Sequence, residues 1–362
     1  MMASSTQHDL ASAAAAGNLN ETVVRKRSLS GNAGDRLVRL AAGAGRLLPI
    51  GNPTRHGVSV TRNLSYTGTD HKAHRLDLYR PEVATGPLPV ILYIHGGAFQ
   101  ILSKDTHWTM GMAFAARGFM VVSINYRLAP KHKFPAASQD VASAYSWVVR
   151  NIGHHGGDPN QIVVAGESAG ANLAASVAVM ASFDRPEPWA KAVLGTGVSP
   201  IACIPACGIL QVSDTDRYRR RGTIAKWVTT QIEACERVYL DGAELGQGGS
   251  DLADPLLVIE SGAQPHRPLP PFFVPIGTRD PLLDDSRRLE RALQERHVRV
   301  EAKYYKGGIH AFHAVPTMKT ASRCWQDKFD FLDSVLAERV GPAKIPHARR
   351  PAVPGAMDDW YV

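Results

Sequence analysis

Ile162-Val163-Val164-Ala165-Gly166-Glu167-Ser168-Ala169-Gly170-Ala171 is the stretch that decides the fold. Its first four residues are apolar and either β-branched or small, as in a strand buried on both faces. From Ala171 to Ala181 the residues favour a helix. Between the two stands a serine with a glycine two places to either side. The Gly-x-Ser-x-Gly pattern alone arises by chance in about one chain in six of this length and glycine content, so the flanking strand and helix carry the reading. A strand that passes at once into a helix must turn sharply, and a serine at the apex needs neighbours without side chains. Gly166 and Gly170 supply them.

Outward from this turn, apolar β-rich runs alternate with helical periodicity. Strands are predicted over 75–79, 90–94, 120–125, 161–165, 192–198, 272–277 and 300–305. Val141, Tyr145, Val148 and Ile152 mark one helix face, and Trp325, Phe329, Leu332 and Leu336 another. Runs such as Val90-Ile91-Leu92-Tyr93-Ile94 are apolar on both sides of the pleat, which requires helices on both faces of the sheet. The fold class that results is α/β, with a mostly parallel central sheet covered on both faces. The alternation fails between about 200 and 271, which reads as an insertion over the sheet with one helix over 223–239.

Composition narrows the classes. With 362 residues, 44% hydrophobic and 20% charged, the chain is neither disordered nor collagen-like. The excess of 41 Lys and Arg over 33 Asp and Glu leaves +8, a solvated surface that favours anions. Without long runs of like charge or basic stripes interleaved with aromatics, no nucleic-acid partner is expected. Four cysteines without CxxC spacing point to reduced thiols and a cytoplasmic setting. No segment reads as an integral membrane span. Residues 1–20 read as a flexible tail, and Leu37, Leu40, Ala44 and Leu47 mark an amphipathic helix beginning near Gly34 that would pack on the main body. The tail over 341–362 carries Pro342, Pro346, Pro351 and Pro354.

The chemistry gathers at strand ends. A serine hydroxyl needs a base, and the base an orienting carboxylate; in this kind of fold the chain order is serine, acid, histidine. After the strand over 272–277 comes Asp280, preferred to Asp284 and Asp285, which begin the next helix. After the strand over 300–305 comes His310, preferred to His313 because it lies nearer the strand end. His310 and His313 as an HxxH metal pair lack a carboxylate cluster, so no metal is expected, and no cofactor. His95-Gly96-Gly97-Ala98 follows the strand over 90–94 and can turn backbone N–H groups toward an attacked carbonyl oxygen. Gly96, Gly97 and Ala169 are the expected oxyanion donors, and His95 is assigned to loop architecture.

These motifs, with Asn125-Tyr126-Arg127-Leu128-Ala129-Pro130, Phe134-Pro135-Ala136-Ala137, Gly157-Asp158-Pro159, Asp280-Pro281-Leu282 and His310-Ala311-Phe312, resemble those of the hormone-sensitive lipase family of α/β-hydrolase esterases, including its bacterial carboxylesterases. The resemblance runs from about Leu76 to Leu336. It implies Ser168 as nucleophile, Asp280 as acid, His310 as base and Gly96, Gly97 and Ala169 as the oxyanion hole. It also implies a cap from residues 21–55 and 200–265 over a catalytic core of 56–199 and 266–340. Alanine stands at Ala98, Ala171 and Ala311 where the family often has glycine, and none of these changes removes a reacting group. Tyr126, Arg127 and Asp140 read as structural supports. The expected activity is hydrolysis of short to medium acyl esters of small molecules; the sequence leaves the oligomeric state open, with a homodimer among the options. An amidase or formamidase, a lipase, and a non-catalytic receptor are the alternatives.

Overall fold

Buried backbone must pair its N–H and C=O groups, and the apolar runs do so as strands of one sheet. The computed structural model describes residues 35–84, 86–243, 251–315 and 318–340. Its eight strands are β1 (Val58–Ser65), β2 (Arg75–Pro81), β3 (Leu88–Ile94), β4 (Met120–Ile124), β5 (Gly157–Glu167), β6 (Ala202–Ala206), β7 (Phe272–Gly277) and β8 (Val300–Tyr305). They lie in the order β1-β2-β4-β3-β5-β6-β7-β8. The pairs β1–β2 and β2–β4 are antiparallel, and all later neighbours are parallel. The helices are α1 over 35–47, α2 (Trp108–Ala116), α3 (Ala136–Asn151), α4 (Ala169–Ser182), α5 (Pro188–Leu194), α6 (Asp216–Arg220), α7 (Lys226–Leu240), α8 (Pro255–Glu260), α9 (Leu283–Glu295) and α10 (Lys319–Val340).

The period of two along β3 builds both halves of the core. Val90, Leu92 and Ile94 enter one apolar cluster with Val141 of α3, Leu173 of α4 and Leu289 of α9. Ile91 and Tyr93 enter another with Phe114 of α2 and Trp325 and Leu332 of α10. From β3 the chain crosses to β4 on one side and then returns past β3 to β5 on the other. That reversal opens a crevice at the carboxyl ends of β3 and β5, the position where such sheets bind ligands. Ile94 and Gly166 are register partners there, so the loop after β3 and the turn after β5 start side by side.

Three expectations are corrected. The run over 192–198, predicted as a strand, falls in α5 and the turn that ends it: Pro188 opens the helix, and Gly197 at φ +77° follows its close. The sixth strand is instead Ala202–Ala206, so the segment expected to open the cap at residue 200 starts inside the sheet. Pro205 lies between two amides of the same strand edge, Cys203 N–H donating to Pro271 O and Cys207 N–H to Pro275 O, and contributes no donor of its own. The edge strand β1 was not foreseen; it is half exposed and bulged near Asn63, so its pattern is weak.

α1 corrects the third. It forms where predicted but turns its charged side inward: Asp35 accepts from Leu102 N–H, Arg39 donates to Leu102 O and Ser103 Oγ, and Arg46 pairs with Asp105. Leu37, Leu40 and Leu47 therefore face outward, Leu47 at 88% exposure. α7 matches the insertion helix, and its Tyr239 stacks on Phe99 at 3.8 Å between ring centroids. Asp285 of α9 anchors the root of the insertion, accepting from Leu210 and Gln211 N–H and pairing with Arg217. Both predicted tails, 1–20 and 341–362, lie outside the described residues. None of the described helices is long and apolar enough to cross a membrane.

Candidate active site

The turn after β5 is as tight as its glycines suggest. Ser168 sits at φ +53° and ψ −117°, a conformation that a side chain adopts only under strain. A Cβ on Gly166 would stand 2.3 Å from Gly170 O, and one on Gly170 would stand 2.1 Å from Ile94 O. The serine N–H donates to Ala206 O at the end of β6, which fixes the turn from the other side. α4 begins at Ala169, so its free N-terminal amides stand beside the hydroxyl.

His310 brings its Nε2 to 3.0 Å from Ser168 Oγ and its Nδ1 to 2.9 Å from Asp280 Oδ2. The other carboxylate oxygen of Asp280 accepts from Leu282 N–H at 2.8 Å, which orients the acid. Asp280 is buried, whereas 37% of the His310 side chain is open to solvent. Burial disfavours the imidazolium, yet the hydrogen bond and charge of Asp280, reinforced by Glu167, outweigh it and hold the His310 pKa above the ordinary histidine value. Asp284 and Asp285 lie in the first turn of α9, engaged with Arg221 and Arg217. The structure thus brings together Ser168, Asp280 and His310 from the ends of three strands.

Gly96 and Gly97 lie on the loop after β3. A Cβ on Gly96 would meet Glu167 O at 3.0 Å and Ser168 Cβ at 3.4 Å, so the loop packs tightly against the serine turn. Gly97 has φ +113°, and its Cβ would overlap Ile101 O at 2.2 Å. Among the described residues, no acceptor takes the N–H of Gly96 or Gly97. His95 is buried, stacked on Tyr126 at 4.3 Å, and contacts Gly96 O. Burial first, then His107, pushes its pKa down to about 3, so it stays neutral as a loop brace. Tyr126 Oη donates to His95 O, and Arg127 grips Asp140 at 2.7 Å; both act on backbone geometry as expected.

Sequence reasoning missed a buried polar group behind the serine. Glu167 accepts from His107 Nε2 at 2.7 Å and from His313 Nε2 at 2.9 Å. The available signal was a carboxylate directly after the apolar run 162–166. His310 and His313, weighed as a metal pair, instead take different partners. The donor atoms of Cys207, Asp280 and His310 lie within 4.8 Å of one another. Burial holds the Cys207 thiol well above its ordinary pKa, which disfavours the thiolate a metal would need.

Comparison with known proteins identifies the family. A family profile described as the α/β-hydrolase fold matches residues 91–314. A Mycobacterium tuberculosis protein, carboxylesterase NlhH, is 30% identical over 254 residues, 69% of this chain and 74% of its own. The versiconal hemiacetal acetate esterase of Dothistroma septosporum is 26% identical over 88% of this chain and 93% of its own. The structure of a hyperthermophilic esterase from the archaeon Pyrobaculum calidifontis matches with a TM-score of 0.65 at 26% identity, over 84% of this chain and 91% of its own. The chain belongs to the hormone-sensitive-lipase-like esterases of the α/β-hydrolase fold and is a carboxylic ester hydrolase.

Proposed function

We propose that Ser168 attacks the carbonyl of short to medium acyl esters, with His310 as base, Asp280 as its orienting acid and the N–H groups of Gly96, Gly97 and Ala169 as the oxyanion hole. The observation that carries this reading is the unbroken chain Ser168 Oγ to His310 Nε2 to Asp280 at 3.0 and 2.9 Å. His310 takes the hydroxyl proton as the Oγ–carbonyl bond forms, then returns it to the departing alkoxide as the ester C–O bond breaks. Water then attacks the acyl-serine, giving its proton to the same imidazole, which passes it to Ser168 Oγ as the acyl–Oγ bond breaks and the carboxylic acid leaves. Asp280 keeps Nδ1 protonated, so Nε2 is the free lone pair facing the serine.

Residues 35–47 and the insertion after β6 form the proposed cap, supported by the stacking of Tyr239 on Phe99 beside the oxyanion loop. A p-nitrophenyl phosphonate should add its phosphorus to Ser168 and be located by peptide mass spectrometry. Ser168→Ala should lower kcat by about 10⁴- to 10⁶-fold toward p-nitrophenyl acetate, butyrate and octanoate. Unchanged turnover, or label on another residue, would overturn the assignment. Aryl amides in the same panel separate the amidase reading.

A further inference from the structure

Three loops supply the proposed machinery: the segment after β3 with Gly96 and Gly97, the turn at Ser168, and the segment after β8 with His310. One buried carboxylate touches all three. Glu167, beside the serine, reaches His107 at the far end of the first loop and His313 on the third. Gly96 also rests against it, since a Cβ there would stand 3.2 Å from Glu167 Cγ.

The tautomers follow from the partners. His107 Nε2 faces Glu167, while its Nδ1 lies 3.1 Å from Ser103 O and 2.9 Å from Thr106 Oγ1. Acceptors at both ring nitrogens suit an imidazolium. Burial opposes that charge, but Glu167 outweighs it and holds the His107 pKa above its ordinary value. Burial would likewise raise the Glu167 pKa, but His107 and His313 overcome it and hold the carboxyl well below the usual range. His313 is different: its Nδ1 is buried without a hydrogen-bond partner among the described residues, so it donates from Nε2 as the neutral ring. Its carbonyl accepts from Trp325 Nε1, tying this loop to α10.

His310 and His313 thus form a two-pronged grip on neighbouring residues, one on Ser168 and the other on Glu167. Ala311, in the left-handed region at φ +54°, makes the bend between the two prongs. The other ionisable groups nearby are His95, Tyr126, Cys207, Asp280 on His310, and Lys328, whose ammonium lies 3.7 Å from the centroid of the Trp325 ring.

Resting on the Ser168 reading, we propose that Glu167 is a positioning residue which, through His107 and His313, clamps the oxyanion loop and the base loop onto the nucleophile turn. It touches no reacting atom; it acts by holding those that do. Small misplacements of such groups cost as much as about 10²-fold in rate.

The test uses the full-length enzyme and p-nitrophenyl butyrate, with active sites counted by phosphonate titration and folding followed by circular dichroism. Glu167→Gln should lower kcat per titrated site by about 10- to 100-fold with KM within about threefold. The midpoint of its kcat/KM profile should move to lower pH, because a charge that favours the His310 imidazolium is gone. His313→Asn should lose rate in the same direction and add less than about twofold to Glu167→Gln, as expected when two residues act as one unit. A lowered melting temperature with kcat per site and pH midpoint unchanged would mark a merely structural role and overturn the proposal. If Glu167→Gln does not fold, His313→Asn decides by kcat per titrated site, an unchanged value overturning the proposal. Ser168→Ala runs alongside: activity there faults the nucleophile, whereas its loss with an unimpaired Glu167→Gln faults only the clamp.

Discussion

Ile94 and Gly166 face each other in register across β3 and β5, and the carbonyl oxygen of Ile94 fills the space that a side chain on Gly166 or Gly170 would need. The serine turn and the glycine loop after β3 are therefore one packed unit. An added Cβ at Gly170 meets Ile94 O and His95 O at 2.1 and 2.5 Å, both of them backbone. Gly170→Ala is expected to destabilise by about 3 kcal/mol, the upper range for overpacking. Urea unfolding measures it, and a change under about 1 kcal/mol would contradict the packing.

Gly97→Ala addresses the oxyanion loop alone. Its φ of +113° and the overlap with Ile101 O mean that the peptide must rotate. Loss of one donor is expected to cost about 10²- to 10³-fold in kcat with little effect on KM. Steady-state kinetics on a soluble ester checks this, and an unaltered kcat would remove Gly97 from the hole.

The pH profile has a definite sign. The proposed base must be neutral, and Asp280 holds the His310 pKa above its ordinary value against burial. Activity should therefore fall as pH drops through a midpoint above the ordinary value of about 6.5. A kcat/KM profile with its acid limb centred well below that value would count against His310 as the base.

Thiol chemistry offers an independent check on packing. All four cysteines are buried and free, and burial pushes Cys235 up to about 12 and Cys324 up to about 11, with Cys203 and Cys207 raised as well. The thiolate is the nucleophile, so native protein at pH 8 should resist iodoacetamide while unfolded protein is alkylated at every cysteine. Rapid labelling of folded enzyme would show one of these sites to be open.

Legibility in the sequence followed burial and locality. β3 and β7 were readable because apolar residues fill both faces, and β8 because apolar and charged residues alternate along Val-Glu-Ala-Lys-Tyr. β6 was not, because Ala-Cys-Ile-Pro-Ala is short and carries a proline. The run over 192–198 misled because Ala, Val and Leu suit helix or strand, and Pro188, the residue that starts the helix, lies outside it. Ser168, Asp280 and His310, which the structure brings into contact, could be singled out because each follows a strand end in a set chain order. The outward leucines of α1 and the grip of Glu167 could not: Arg39 finds Leu102, and Glu167 finds His107, only through tertiary contact.

Pro205 interrupts the hydrogen bonding along one edge of β6. To one side lie the strands that present Ser168 and the glycine loop; to the other lie β7 and β8, which present Asp280 and His310. The β6–β7 join, with the single register pair Cys203 and Phe272, thus divides the proposed nucleophile and oxyanion donors from the proposed acid and base. Partial opening along that line would silence turnover while most of the hydrophobic interior stayed intact. In rising urea, hydrolysis should fail before the far-ultraviolet dichroism changes, and coincident midpoints would show that the molecule comes apart as a whole.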